Sequence, residues 1–200
     1  MLVVQWSCLL SDYSCLWDGL KLNGSEQVII MSAKLKEIVE KLNLQPHPEG
    51  GYFAETYRSE VEVPGSLIGA HGPRQACTGI YFLIPAGEFS AFHRIKSDEM
   101  WHFYAGDPLL VHQIFSDGSY ECHHLGSDIR NQVFQAVVPA GAWFASEPDP
   151  DLLNHGFSLV GCTVSPGFDF SDFELARESQ LSEEYPGHRE LISRLTRDSQ

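Results

Sequence analysis

GEFSAFHRIKSDEMWHFYAG, residues 87–106, is the stretch whose reading decides the fold. Two glycines bracket it. Between them, Glu88–Ile95 and Glu99–Tyr104 read as two strands joined by Lys96-Ser97-Asp98. His93, Glu99 and His102 fall within ten residues of one another, among aromatic and aliphatic side chains. Such groups line pockets, hold metals or move protons. Strict alternation puts Glu99, Trp101 and Phe103 on one face of the second strand, and Met100, His102 and Tyr104 on the other.

Short strands continue on both sides of this pair. Upstream, Tyr52–Ser59 follows the proline- and glycine-rich segment 44–51, and Ala76–Ile84 ends at Pro85-Ala86-Gly87. In the first of these, alternation sets Phe53, Glu55 and Tyr57 against Tyr52, Ala54, Thr56 and Arg58. Downstream come Leu109–Phe115, the turn Ser116–Ser119, then Tyr120–Leu125, Gln132–Val138, Trp143–Ser146 and Phe157–Val164. Helical patterns stand only at the ends. Ser32 is read as the cap of a helix over Ala33–Leu42, with Leu35, Ile38, Val39 and Leu42 on one face. In the tail, Asp172–Ala176 and Ser182–Ser193 read as helical. Many short strands with glycine and proline turns describe a sandwich or barrel rather than a βαβ fold, and the strand count fits a double-sheet jelly roll. Residues 1–30 lack a sustained period and are read as an N-terminal extension to one domain, 31–200.

Bulk properties narrow the partners. The chain of 200 residues carries 27 acidic and 13 basic side chains, a net charge of -14. No run of Lys and Arg suits a phosphate backbone, so neither nucleic acid nor an anionic membrane is expected. No span of 18 apolar residues is present, and the apolar run near the N-terminus lacks a basic flank. Five scattered cysteines with no CxxC pair fit reduced thiols and a cytoplasmic location.

Residues 87–106 also resemble the first motif of the cupins, a glycine, His-x-His, a glutamate and a glycine. Gly87, His93, Glu99 and Gly106 fall at its spacings, and Ile95 takes the second His position. Pro139-Ala-Gly141 resembles the second motif, with Phe144 at its His position. A closer resemblance is to the cupin-5 family, DUF985. It is carried by HPEGGYFAETYRS at 47–59, FHRIKSDEMWHFYAGDPL at 92–109, VVPAGAWFAS at 137–146 and CTVSPGFDFSDFEL at 162–175. That resemblance implies an all-β, RmlC-like cupin, a double-stranded β-helix with peripheral N- and C-terminal helices, and a homodimer. It brings no established reaction.

His93 and Glu99 are the catalytic candidates, an imidazole beside a carboxylate that fixes its tautomer. The motifs supply two metal donors where three or four are needed, so no metal ligand set and no cofactor are assigned. Trp101, Phe103, Trp143 and Phe144 are candidates for an aromatic wall; Trp143 and Phe144 alternate across their strand, Phe144 is taken as the inward one, and there it would make the pocket dry enough to push Glu99 toward its protonated form. Arg58 either grips a ligand anion or pairs with Glu55, Glu60 or Glu62. Tyr52, Thr78 and His102 complete the ligand-binding set, and His47 is read as a solvent-exposed loop residue. These residues leave three uses open. One is a metal-free isomerase or epimerase of a sugar-like or nucleotide-like molecule. The others are a binding protein without turnover and a metal-dependent cupin with an unusual ligand set.

Overall fold

The computed structural model describes residues 24–67, 69 and 72–197. Helix α1 (Gly24–Lys41) leads into strands β1 (Gln45–Pro46), β2 (Tyr52–Arg58), β3 (Glu62–Val63), β4 (Arg74–Gln75) and β5 (Thr78–Pro85). Then follow β6 (Ser90–Arg94), β7 (Asp98–Gly106), β8 (Leu109–Ile114), β9 (Tyr120–Leu125), β10 (Gln135–Val138), β11 (Trp143–Pro148) and β12 (Phe157–Ser165). Strand β13 (Glu174–Leu175) and helices α2 (Glu178–Glu184) and α3 (Arg189–Arg194) close the chain. One antiparallel sheet runs β1-β2-β5-β12-β7-β10 and the other β13-β6-β11-β8-β9. This is the expected jelly roll with helices at its periphery.

Period two sorts each strand between layers. Phe82, Ile84, Trp101, Val111, Phe144 and Val160 meet between the sheets and form the main core. The opposite face of β5 and β12 packs Leu83 and Phe157 beneath α1, through Leu35, Ile38, Val39 and Leu42. The opposite face of β6, β8 and β11 packs Phe92, Ile114 and Trp143 beneath α2 and α3, through Leu181, Ile192 and Leu195. Trp143 and Phe144 therefore point to opposite sides of one sheet, and Phe144 is the inward one.

Two terminal readings change. The first helix starts at Gly24, so Ser32 lies inside it rather than at its cap. The rest of the predicted extension, residues 1–23, lies outside the described residues. In the tail, Asp172–Ala176 is not helical. A 3-10 turn at Phe170–Asp172 gives way to β13, where Glu174 and Leu175 pair with Arg94 and His93, and the Ala176 N–H bonds the Phe92 carbonyl. An open edge on β6 offers these residues ladder hydrogen bonds that outweigh their helical propensity.

Candidate functional site

One end of the space between the sheets is a cavity of about 250 Å³, lined by residues of the β1–β2 turn, β2, β5, β6, β7, β12 and the segment after β12. Its deepest feature comes from the turn before β2. His47 and Gly51 close that turn through mutual backbone contact, the His47 N–H bonding the Gly51 carbonyl at 3.0 Å. Gly50 and Gly51 both have positive φ, and a side chain at Gly50 would collide with the Phe89 carbonyl at 2.2 Å. Only glycine lets the turn press this closely against β6. The result is that Glu49 is driven inside the barrel, where it is 6% exposed.

His93 enters from β6 between Phe144 and Leu175, its cross-strand neighbours. Its Nδ1 lies 2.7 Å from the Ala91 carbonyl, which accepts only, so Nδ1 carries the hydrogen. A neutral His93 then presents its Nε2 lone pair to Glu49 Oε2, 3.1 Å away. Two acceptors at that distance require a proton between them. Burial holds the imidazole down to about 3, and burial together with the Glu99 charge pushes the Glu49 carboxyl well above the usual carboxylate range. The shared proton therefore belongs to Glu49, which donates to His93 Nε2. Ser90 Oγ donates to Glu49 Oε1 at 2.8 Å and completes the pair.

Glu99 faces the same cavity from β7, between Val138 and Val164 on the neighbouring strands. It is 7% exposed, and burial raises its carboxyl to about 7 even though the Cys162 thiol hydrogen-bonds to it. The shift has the direction expected from a dry pocket. His47 also lies in this wall, with its side chain 7% exposed and its ring edge-on to Phe53 at 4.6 Å. Burial lowers it to about 4. The expected exposure of His47 is thus corrected. The turn that brings in Glu49 brings in its neighbour as well, and the phenylalanine beside it completes the enclosure.

The structure separates the expected ligand-binding set. Thr78 and Arg58 line the cavity with His93 and Glu99. Arg58 does so because Thr56 is an extra residue in β2: Glu55 pairs with Ile80 and Tyr57 with Gly79. That bulge reverses the predicted alternation and sets Arg58 on the same side as Phe53 and Glu55. The Arg58 fork is already engaged, with Nε and Nη2 on the Glu55 carboxylate at 2.9 and 2.6 Å and Nη1 on Gln75 at 2.8 Å. Of its two readings, the structure displays the ion pair.

Tyr52 lies on the other face of β2, beneath α1, and does not reach the cavity. His102 lies on the outer face of β7, bonded to Thr163 Oγ1 at 3.0 Å and to Gln135 at 2.8 Å. Trp101, Phe103 and Phe144 belong to the main core rather than to the cavity wall. A strand advances about 3.3 Å per residue, so Trp101 and Phe103 lie progressively farther from the Glu99 end. Phe144 packs against His93 at a tilt of 55° with ring centres 3.9 Å apart, behind the lining. The aromatic wall is built instead by Phe53, Phe82, Phe168 and Phe170. Two of these come from the segment after β12. That segment is tied down by the Phe168 N–H to Thr78 Oγ1 at 2.9 Å and by Arg74, whose guanidinium holds Asp172 at 2.7 and 3.1 Å.

The four-ligand metal centre of the common cupin motifs does not fit these residues. Ile95 and Phe144 occupy two of the four ligand positions as buried core side chains, and among the described residues no three His, Cys, Asp or Glu side chains converge to hold an ion. Nor is any described helix long and apolar enough to cross a membrane.

Comparison with known proteins agrees with this architecture. Residues 36–176 match the family described as Cupin superfamily (DUF985). The uncharacterized protein YML079W of Saccharomyces cerevisiae is 33% identical over 150 residues, covering 70% of this chain and 74% of the yeast protein. A hypothetical protein from Leishmania major superposes with a TM-score of 0.76 at 38% identity, and protein SO0799 from Shewanella oneidensis with 0.72 at 39%. Each match covers 82% of this chain and 98% of the other. With residues 36–176 matching that family and most of its length in common with these relatives, this chain belongs to the DUF985 family of the cupin superfamily.

Proposed function

We propose that the barrel takes up a small, sugar-sized molecule and moves a proton on it, as a metal-free isomerase or epimerase does. The observation that carries this reading is the placement of Glu99 and the Glu49–His93 pair in one cavity, all three nearly excluded from water. Glu99 is the group that transfers the proton, because a carboxyl poised near the operating pH serves as both acid and base. His93 is tied at both nitrogens, so it holds the Glu49 proton in place and that pair supplies the second proton-donating centre. A volume of about 250 Å³ lies below the ~300 Å³ at which drug-sized ligands begin to be enclosed. That favours a single sugar-sized unit over a whole nucleotide sugar.

Solvent deuterium tests this. A panel of small aldoses, ketoses and amino sugars in D2O is expected to yield one that gains deuterium beside its carbonyl in the presence of the protein. Glu99→Gln should slow that incorporation by roughly 10²-fold or more. Binding without incorporation would leave the second reading, a cavity that holds its ligand without turnover, which the closed hydrogen bonds of His93 also support.

The homodimer belongs to this proposal too. Met100 and Val137 are cross-strand neighbours on the outer face of the larger sheet, at its β10 edge, and both are exposed. Tyr104 shares the outer face of β7 at 52% exposure, and Phe134, the residue before β10, is 50% exposed at the same edge. A second copy related by a twofold axis would cover both the patch and the edge strand. Light scattering should give a dimeric mass for the wild type and a monomeric mass for Val137→Glu combined with Phe134→Glu, both with unchanged circular dichroism. A monomeric wild type would remove the dimer.

A further inference from the structure

The charge distribution in the cavity says more about the occupant than its size does. Phe168 and Phe170 meet at 81° with centres 5.0 Å apart, and Phe53 stands across from them beside His47. Rings set at right angles enclose a volume from several sides, the arrangement that aromatic boxes use for organic cations. Glu99 lines the same cavity, 7% exposed, with a thiol as its hydrogen-bond partner and no Lys or Arg paired to it among the described residues. Among the described residues Arg58 is the one Lys or Arg in the lining, and its three nitrogens are engaged by Glu55 and Gln75. A ligand anion would have to displace Glu55 and then sit near Glu49, Glu99 and Asp169. A cation meets no such opposition.

Resting on the reading that this cavity is the binding site, we propose that its sugar-sized ligand is an organic cation, one that carries a charged amino group. Its ammonium group would sit among the phenylalanine rings and beside the Glu99 carboxyl. Binding then couples to protons. The groups that face Glu99 are Cys162 from β12, His93 from β6, and Glu49 and His47 from the turn before β2; Glu55, Arg58 and Asp169 stand at the mouth. The imidazoles stay neutral above about pH 5, burial pushes the Cys162 thiol up, and Glu55 and Arg58 cancel. Asp169 stays anionic, held down by its bonds from Ser171. What changes near neutrality is a buried carboxyl, and a bound cation favours its ionised form. Affinity should therefore rise with pH, with proton release on binding below pH 7.

Choline and its uncharged isostere 3,3-dimethylbutan-1-ol form the test pair, read by calorimetry and by amide shifts around the cavity. Choline is expected to bind at least about ten-fold more tightly at pH 8, and to weaken by about ten-fold at pH 6, as a carboxyl ionising near 7 requires. Glu99→Gln should weaken choline and leave the alcohol unchanged. The Phe170→Ala variant, altered at an exposed ring, should weaken choline without touching the core. If the alcohol binds as well as choline, the cation inference falls and the cavity reading stands. If neither shifts any cavity amide, the cation inference falls, and the cavity reading falls with it only when the sugar panel also fails to shift those amides.

Discussion

Arg74→Ala is expected to cost about 3 kcal/mol of stability and to open the mouth of the cavity. Arg74 and Asp172 are 6% and 7% exposed, and the pair is bidentate, with Nε and Nη2 on the two carboxylate oxygens. Removing the guanidinium leaves Asp172 buried with Lys96 Nζ at 3.6 Å as its remaining cation. That contact is longer and single, which places the loss at the lower end of the range for broken buried pairs. Ser171 is loosened in the same step, since its hydroxyl loses the bond donated by Arg74 Nη2 at 2.7 Å and keeps only its own bond to Asp169. The residues released are those that carry Phe170. Urea unfolding should therefore show a lower midpoint with an unchanged slope. Native-state hydrogen exchange should quicken at 169–173, while Gly167 and Phe168 keep their bonds to Gln75 and Thr78. Arg74→Lys should recover only part of the loss, because an ammonium cannot reproduce the fork. Equal exchange in wild type and Arg74→Ala would mean that the segment is held by its phenylalanines alone.

That pair also marks the limit of what the sequence could disclose. Arg74 and Asp172 are 98 residues apart, and nothing local in either neighbourhood announces the other. The layers, by contrast, were legible because they follow from period two. The opposed faces of Trp143 and Phe144, the helix pattern at Leu35–Leu42, and the common face of Glu99, Trp101 and Phe103 all appear in the structure. Alternation fails where a strand carries an extra residue. The bulge at Thr56 moved Arg58 across β2, and no residue type in YFAETYRS signals it. Nor does alternation locate the end of a core, which is why Trp101 and Phe103 were expected at the pocket and lie beyond it.

Glu49 was missed for a different reason. HPEGG reads as a surface turn by composition, and a charged residue in such a turn is normally solvated. The signal present was the glycine pair. Two glycines after a glutamate allow a backbone approach that no other residue permits, and here the approach is against β6. Glu49 in turn changes the role of His93. The partner expected was Glu99, on an adjacent segment of sequence; the partner found is 44 residues away, through a turn folded back into the barrel. Ile95 and Phe144, by contrast, announced from sequence that the usual ligand set was incomplete, and both lie in the core.

Burying two carboxyls and two imidazoles in one cavity gives stability an unusual dependence on pH. Glu99 titrates at about 7 in the fold and at about 4.5 when unfolded. Between those values the unfolded chain has released a proton that the native state still holds. Stability therefore falls as pH rises through this window, by about 3 kcal/mol in total, and then levels. Glu49, raised by burial, pulls in the same direction and farther. The imidazoles act oppositely. His47 and His93 are lowered from 6.5 to about 4 and about 3, so their unfolded forms gain protons first and stability falls as pH drops below 6.5. From pH 4.5 to 6.5 the two falling and two rising contributions offset each other, which gives a broad maximum on the acid side of neutrality. Above 6.5 only the carboxyls remain in play, and stability declines. Glu99→Gln isolates one of them, since a glutamine keeps the acceptor for Cys162 and cannot ionise. The variant should match the wild type near pH 4 and exceed it by up to about 3 kcal/mol at pH 8, measured by urea unfolding across that range. Parallel curves for the two proteins would mean that Glu99 ionises at its ordinary value inside the barrel. A carboxyl that costs stability at physiological pH is a group the fold keeps at its own expense, and the cavity it faces is where that cost has a use.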